Sequence, residues 1–136
     1  MELDRSKLDL NLIKLDKLEN NIFSTIAEAA AGYITSKAGK DKNKFTQLRK
    51  FYDELVMWHD RVFRVSNRDS EYQKAAPFIQ ILKAKAAYSQ GRGHVDKNFT
   101  DVFNRIIGQI HTPDTLKNAK LFFEAVLGYR KAAEQK

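Results

Sequence analysis

Apolar residues recur three and four apart through most of the chain, and clear two-residue alternation is confined to Leu8-Asp9-Leu10-Asn11-Leu12. That pattern, with only two prolines and six glycines, predicts an all-α protein, a compact bundle of about five helices. A first helix is expected from about Leu12 to Lys37, with Leu12, Leu15, Leu18, Ile22 and Ile26 on one face. Residues 1–11 read as an extended arm. The stretch from residue 37 to 45 holds Lys37, Lys40, Lys42 and Lys44 and almost nothing apolar, so it reads as a mobile basic loop. Thr46 is a candidate N-cap for a second helix, whose buried stripe would be Leu48, Phe51, Tyr52, Leu55, Trp58 or His59, Val62 and Phe63. A polar break from Ser66 to Glu71 precedes a third helix with Pro77 in its first turn; an interior Pro77 would instead kink it. Gly91 suits the left-handed position after that helix. A fourth helix is expected over about Asp96 to His111, and a fifth from Pro113, capped by Thr112, to about Ala133. No solenoid repeat, low-complexity tract or second core appears, so residues 1–136 read as a single helical domain.

Charge changes this picture by giving it a centre. Residues 1–36 hold 4 Lys/Arg against 6 Asp/Glu, residues 37–97 hold 14 against 7, and residues 98–136 hold 6 against 4. The net +7 of the chain therefore belongs to its middle, the footprint expected of a polyanion-binding surface. A length of 136 residues suffices for one core, and the absence of cysteine removes disulfides, thiolate nucleophiles and Cys-based zinc sites. Apolar runs such as Ala29-Ala30-Ala31 are far shorter than the ~20 residues needed to cross a bilayer, so no membrane partner is expected; Asp4, Asp9 and Asp16 interrupt any apolar segment at the amino end, so no signal peptide is expected either, and the default is a cytoplasmic protein.

Candidate chemistry lies mainly in two segments of that basic middle. On the third helix, Phe78, Ile81, Leu82 and Tyr88 share a stripe and Lys85 falls within it, while Lys83 lies to the side. Either the apolar face ends there and the lysine stem reaches water, or the stripe opens onto a groove where the ammonium meets a phosphate. Arg92, between Gly91 and Gly93, sits where a helix end can present a guanidinium to a phosphate or a base. Arg49 and Lys50 occupy the dipole-unfavourable end of the second helix; they form a solvated face, or join Gln47 and the loop lysines as a basic surface. Arg61, Arg64 and Arg68 recur at one-turn spacing and read as a solvated or protein-facing edge, with nucleic acid second. His59, His94 and His111 have no metal-ligand spacing, and no cofactor is expected.

Gln47-Leu48-Arg49-Lys50-Phe51-Tyr52, Leu82-Lys83-Ala84-Lys85-Ala86-Ala87-Tyr88-Ser89-Gln90-Gly91-Arg92 and Phe122-Phe123-Glu124-Ala125-Val126-Leu127-Gly128-Tyr129-Arg130 together resemble the small subunit of the type III-A CRISPR effector complex, the Csm small-subunit family. The resemblance covers roughly residues 45–131 and rests on the three segments in order, since none is specific alone. It implies a non-catalytic helical subunit of an antiviral complex, stacked in several copies along a filament of backbone subunits beside a large subunit. It further implies contacts to the backbones of guide RNA and target RNA, with sequence read by base pairing. The contact residues it implies are Gln47, Arg49, Lys50, Lys83, Lys85 and Arg92; charge adds Lys44. Tyr52 and Tyr88 would pack between these elements or offer an edge to a base. Two other classes stand beside this reading: a helical protein-protein adaptor with a basic docking face, and a small His/Lys ribonuclease.

Overall fold

The computed structural model describes residues 7–36 and 41–134, and it is all-α. A 3-10 turn at Leu10–Leu12 and a π-helical turn at Ile22–Ile26 lead into α1 (Ala27–Ser36); α2 (Phe45–Phe63), α3 (Arg68–Gly91), α4 (Lys97–Gly108) and α5 (Pro113–Glu134) follow. α5 packs most extensively against α1 and α2, while α3 bridges α2 and α4, which returns to α1. Where α2, α4 and α5 meet, the rings of Phe51, Phe99, Phe103 and Phe123 touch at centroid distances of 5.2 to 6.3 Å. These tilted and stacked rings fill the centre with large apolar area, the main favourable term in folding.

The expected first helix is corrected: after the 3-10 turn at Leu10–Leu12 the continuous helix begins at Ile22, not Leu12. Ile13 and Leu15 are buried as alternating residues around exposed Lys14, and side chains of other helices bond their backbone. Gln109 accepts the Leu15 N–H at 2.9 Å, Asn118 donates to the Leu15 carbonyl at 2.8 Å, and Arg105 Nε and Gln109 Nε2 donate to the Ile13 carbonyl at 3.0 and 2.6 Å. With those groups satisfied by α4 and α5, the segment has no need of helical bonds. Leu12 and Leu18 are consequently exposed instead of lining a buried face.

Lys37 to Lys40 lie outside the described residues. The rest of the expected mobile loop is held in place by Asn43, which is fully buried at φ 55°, a left-handed conformation that asparagine tolerates better than most. Its amide donates to the Ile34 carbonyl (3.0 Å) and to Asp96 (2.7 Å), and its Oδ1 accepts the Asp96 N–H (3.0 Å). Its backbone N–H bonds the His94 carbonyl, and buried Arg130 donates through Nε to its carbonyl at 2.8 Å. One residue thus joins α1, the α3–α4 connection, the start of α4 and α5.

α2 starts one residue before Thr46, with Lys44 at the cap position and no side-chain cap of its own. The first orphan N–H, that of Phe45, instead donates to the Glu134 carboxylate at the end of α5, which also suits the positive end of the helix dipole. The buried stripe of α2 is Leu48, Phe51, Leu55 and Val62, with Tyr52, Trp58, His59 and Phe63 half-buried, as the spacing predicts. α3 begins nine residues before Pro77, at Arg68, because Asn67 caps it through the Ser70 N–H and Asp69 and Glu71 occupy its first turn. Pro77 is therefore interior, and its missing N–H leaves the Gln73 carbonyl without a helical partner.

Gly91 is the last helical residue of α3, and Gly93 at φ 81° takes the left-handed position instead. The His94 N–H bonds the Ser89 carbonyl and the Gly93 N–H that of Gln90, so the last carbonyls of α3 close in a Schellman motif. α4 is capped by Asp96 on the Phe99 N–H and ends at Gly108, three residues before the expected His111. α5 starts at Pro113 with Thr112 Oγ1 accepting the Thr115 N–H, as expected.

Candidate nucleic-acid interface

α2 and α3 run antiparallel and leave an open groove of about 410 Å³ between their outward faces. Gln47, Lys50, Phe51 and Glu54 of α2 and Ala84, Lys85, Tyr88 and Ser89 of α3 line it. Three of the sequence candidates meet here, Gln47 and Lys50 being brought to Lys85 from more than thirty residues away. Gln47 is half-buried at the wall, and Lys50 is exposed at the mouth. Lys85 is paired with Glu54, its Nζ lying 2.9 and 3.1 Å from the two carboxylate oxygens.

Arg92 stands at the rim. Its guanidinium lies 5.7 Å from the centre of the Tyr88 ring and donates to the Tyr88 hydroxyl at 3.3 Å. Tyr88 is 67% exposed, so this arginine and this ring meet over water, not over core. The stripe predicted for α3 is corrected in the same place. The core face of α3 is Tyr72, Ala75, Ile79, Leu82 and Ala86, whereas Phe78 and Ile81 are about half exposed, at 53% and 47%. Lys85 sits on that outer stripe. Phe78 stacks on Trp58 of α2 at 5.7 Å, and Arg61 lies 5.6 Å over the same indole.

The other candidates lie apart from the groove. Lys44 is exposed at the start of α2, and Arg49 faces Asp53 at 3.8 Å on the opposite flank of that helix. Lys83 extends beside Gly108 at the carboxyl end of α4, where its ammonium meets the negative end of that helix's dipole. Arg61 also reaches Glu71 at 3.8 Å, Arg68 lies 4.5 Å over Phe63, and Arg64 is exposed at the end of α2.

Tyrosines on three faces are held protonated. Burial first, then the bonded Glu124 carboxylate, push the Tyr52 phenol well above its ordinary range. Burial and then Asp101 raise Tyr33, and burial alone raises Tyr72, whose hydroxyl donates to the Ile110 carbonyl. Tyr52 therefore packs between α2 and α5, with its ring edge-on to Phe123 at 6.0 Å, away from the groove. Of Tyr52 and Tyr88, Tyr88 is the one available at the surface.

The histidines do not converge on one element. His59 of α2 bonds Asp60 and stacks on Phe63 at 4.5 Å, while His94 and His111 lie in the connections flanking α4. Among the described residues no group of three His, Cys, Asp or Glu is placed to hold a metal, and no helix is long and apolar enough to cross a membrane. Glu54 is the charged groove residue that sequence reasoning missed. Its one signal was its place one turn after Lys50 on the same side of α2, which becomes meaningful only once α3 lies alongside.

Residues 18–136 match the family described as Csm2 Type III-A. No curated protein and no solved structure gives a significant match.

Proposed function

The chain belongs to the Csm2 type III-A family and is thus a small subunit of the type III-A CRISPR effector complex, and from that premise we propose that it holds RNA without reading its sequence. The observation carrying this reading is the pair of exposed cations, Lys50 and Arg92, beside one groove that also gathers Gln47 and the Glu54-paired Lys85, inside the segment that holds the positive excess. Lysine and arginine side chains at such a surface meet phosphates, release condensed counterions and make affinity fall steeply with salt. Lys44 and Arg49 extend the basic surface along the start of α2, and Lys83 supplies a cation on the far side of α3.

In this role the subunit is non-catalytic, acts in the cytoplasm, and contacts guide and target RNA while stacking against further copies of itself and the backbone and large subunits. The half-exposed Phe78 and Ile81, beside Trp58, favour a protein contact on the same side of the molecule, since an apolar patch of that kind is seldom left to water. Protein docking and RNA holding are thus adjacent functions of the α2–α3 face.

The test is RNA binding and nuclease protection in the assembled complex. Lys50→Ala and Arg92→Ala are expected to weaken binding alike across unrelated RNA sequences, with folding intact by circular dichroism. If both bind as the unmodified chain does, the groove is not the RNA surface. If the complex protects no RNA through this subunit while it still binds its protein partners, the chain is an adaptor with a basic docking face.

A further inference from the structure

The groove is poorly built for phosphate at its centre. Both carboxylate oxygens of Glu54 lie against Lys85, so the ammonium is already neutralised and the carboxylate repels a second anion. Phe51 and Ala84 give the groove an apolar lining beside them. Its walls offer the Gln47 amide and the Ser89 hydroxyl, each a donor and an acceptor, and the exposed Tyr88 ring with Arg92 over it. Free cationic charge is found at the mouth, on Lys50 and Arg92.

An apolar, concave centre with a few convergent polar groups and a cationic rim matches a group that is flat, uncharged and polar at its edge, carried on an anionic chain. The geometry points to a single extruded nucleobase seated in the α2–α3 groove of this subunit, its base against Tyr88 and the Phe51–Ala84 lining, and its phosphates on Lys50 and Arg92. This rests on the RNA-holding reading above and adds to it that the subunit takes an unstacked base, and with it single-stranded RNA, beyond following the backbone. Gln47 and Ser89 can present donors or acceptors to any base edge, so the seat tolerates all four bases. The volume of about 410 Å³ lies in the range of clefts that hold small ligands.

The test fills the seat without touching its charge. Ala84 is exposed, so Ala84→Phe adds a ring to the groove with no demand on the core. Complexes assembled with either chain are irradiated on bound RNA, digested with trypsin and searched for nucleotide adducts. The expected adduct falls on the peptide from Ala86 to Arg92, which carries Tyr88, and is absent from the Ala84→Phe complex. Affinity of the full chain for a single-stranded oligouridylate is expected to fall about tenfold in Ala84→Phe, with blunt duplex RNA bound as before. Adducts elsewhere on the chain, with Ala84→Phe neutral, overturn the base seat and leave electrostatic holding intact. RNA neither crosslinked to nor bound by the chain overturns both. A folded Ala84→Phe chain that binds RNA normally but is excluded from the complex identifies the groove as a protein seat and overturns the inference.

Discussion

Asn43 shows how one polar side chain can fix a loop that composition marks as mobile. Its buried amide serves Ile34 and Asp96, and its φ of 55° penalises any residue with a Cβ that lacks a compensating bond. Asn43→Ala is therefore expected to destabilise the fold by about 3 kcal/mol, from orphaned partners and left-handed strain together. Asn43→Gly removes the strain but not the orphaned partners and should recover about 1 kcal/mol of that loss. Urea denaturation of the two variants checks both the sum and the split; equal losses would show that strain contributes nothing. A second expectation concerns Tyr52. Its folded-state pKa is raised, so the stability this implies is present below the ordinary tyrosine pKa and is lost as pH climbs above 10. Tyr52→Phe should flatten that alkaline loss in a series of melts between pH 9 and 11, and an unchanged slope would refute the assignment. Neither residue could be read from the sequence in this role. Asn43 lies 53 residues from Asp96 and 87 from Arg130, and Tyr52 lies 72 from Glu124, so the partners that define them are invisible to local spacing.

At the scale of elements, a helix end is legible where its local chemistry meets no competing signal nearby. Thr112-Pro113 marks the start of α5 because cap and first-turn residue are adjacent in sequence. The start of α2 is set by Glu134, which is 89 residues away, and Thr46 was the nearest local substitute. The amino-terminal segment had helical spacing of leucines, yet Gln109, Asn118 and Arg105 take up its backbone groups and make an irregular strap across α4 and α5. Pro77 alone predicts a shorter α3 that has it in the first turn, whereas Asn67 and the acidic residues after it make the stronger start. The interior, exposed Pro77 is a stability deficit with a direct test. Pro77→Ala restores an N–H toward the Gln73 carbonyl and removes the ring clash, so it should raise stability by about 1–3 kcal/mol in urea titration. A loss of stability on that change would mean that proline at this position is needed for α3 to meet α2 and α4 together.

Across the whole molecule, the sequence located the positive excess but not its internal balance. Counting charges from residue 37 to 97 treats Lys85 as a free cation, and only the antiparallel approach of α2 and α3 reveals that Glu54 neutralises it. The same approach brings Gln47 and Lys50 to Lys85, while it sends Arg49 to Asp53 and Lys83 to the end of α4. Candidate residues next to one another in sequence thus fall on different faces, because neighbours on a helix point about 100° apart. This balance makes a prediction opposite to ordinary loss-of-contact reasoning. Glu54→Gln removes a carboxylate that repels RNA and frees Lys85, so binding should strengthen and the slope of log affinity against log salt should steepen by about 0.7 for single-stranded RNA. Lys85→Ala should weaken binding beyond the loss of one contact, because it exposes the Glu54 charge; adding Glu54→Gln to it should restore part of the affinity. Binding curves over a range of salt for the two single variants and the double one close the cycle. If Glu54→Gln leaves affinity and slope unchanged, the pair stands away from the bound strand, and the RNA follows Lys50 and Arg92 along the rim alone.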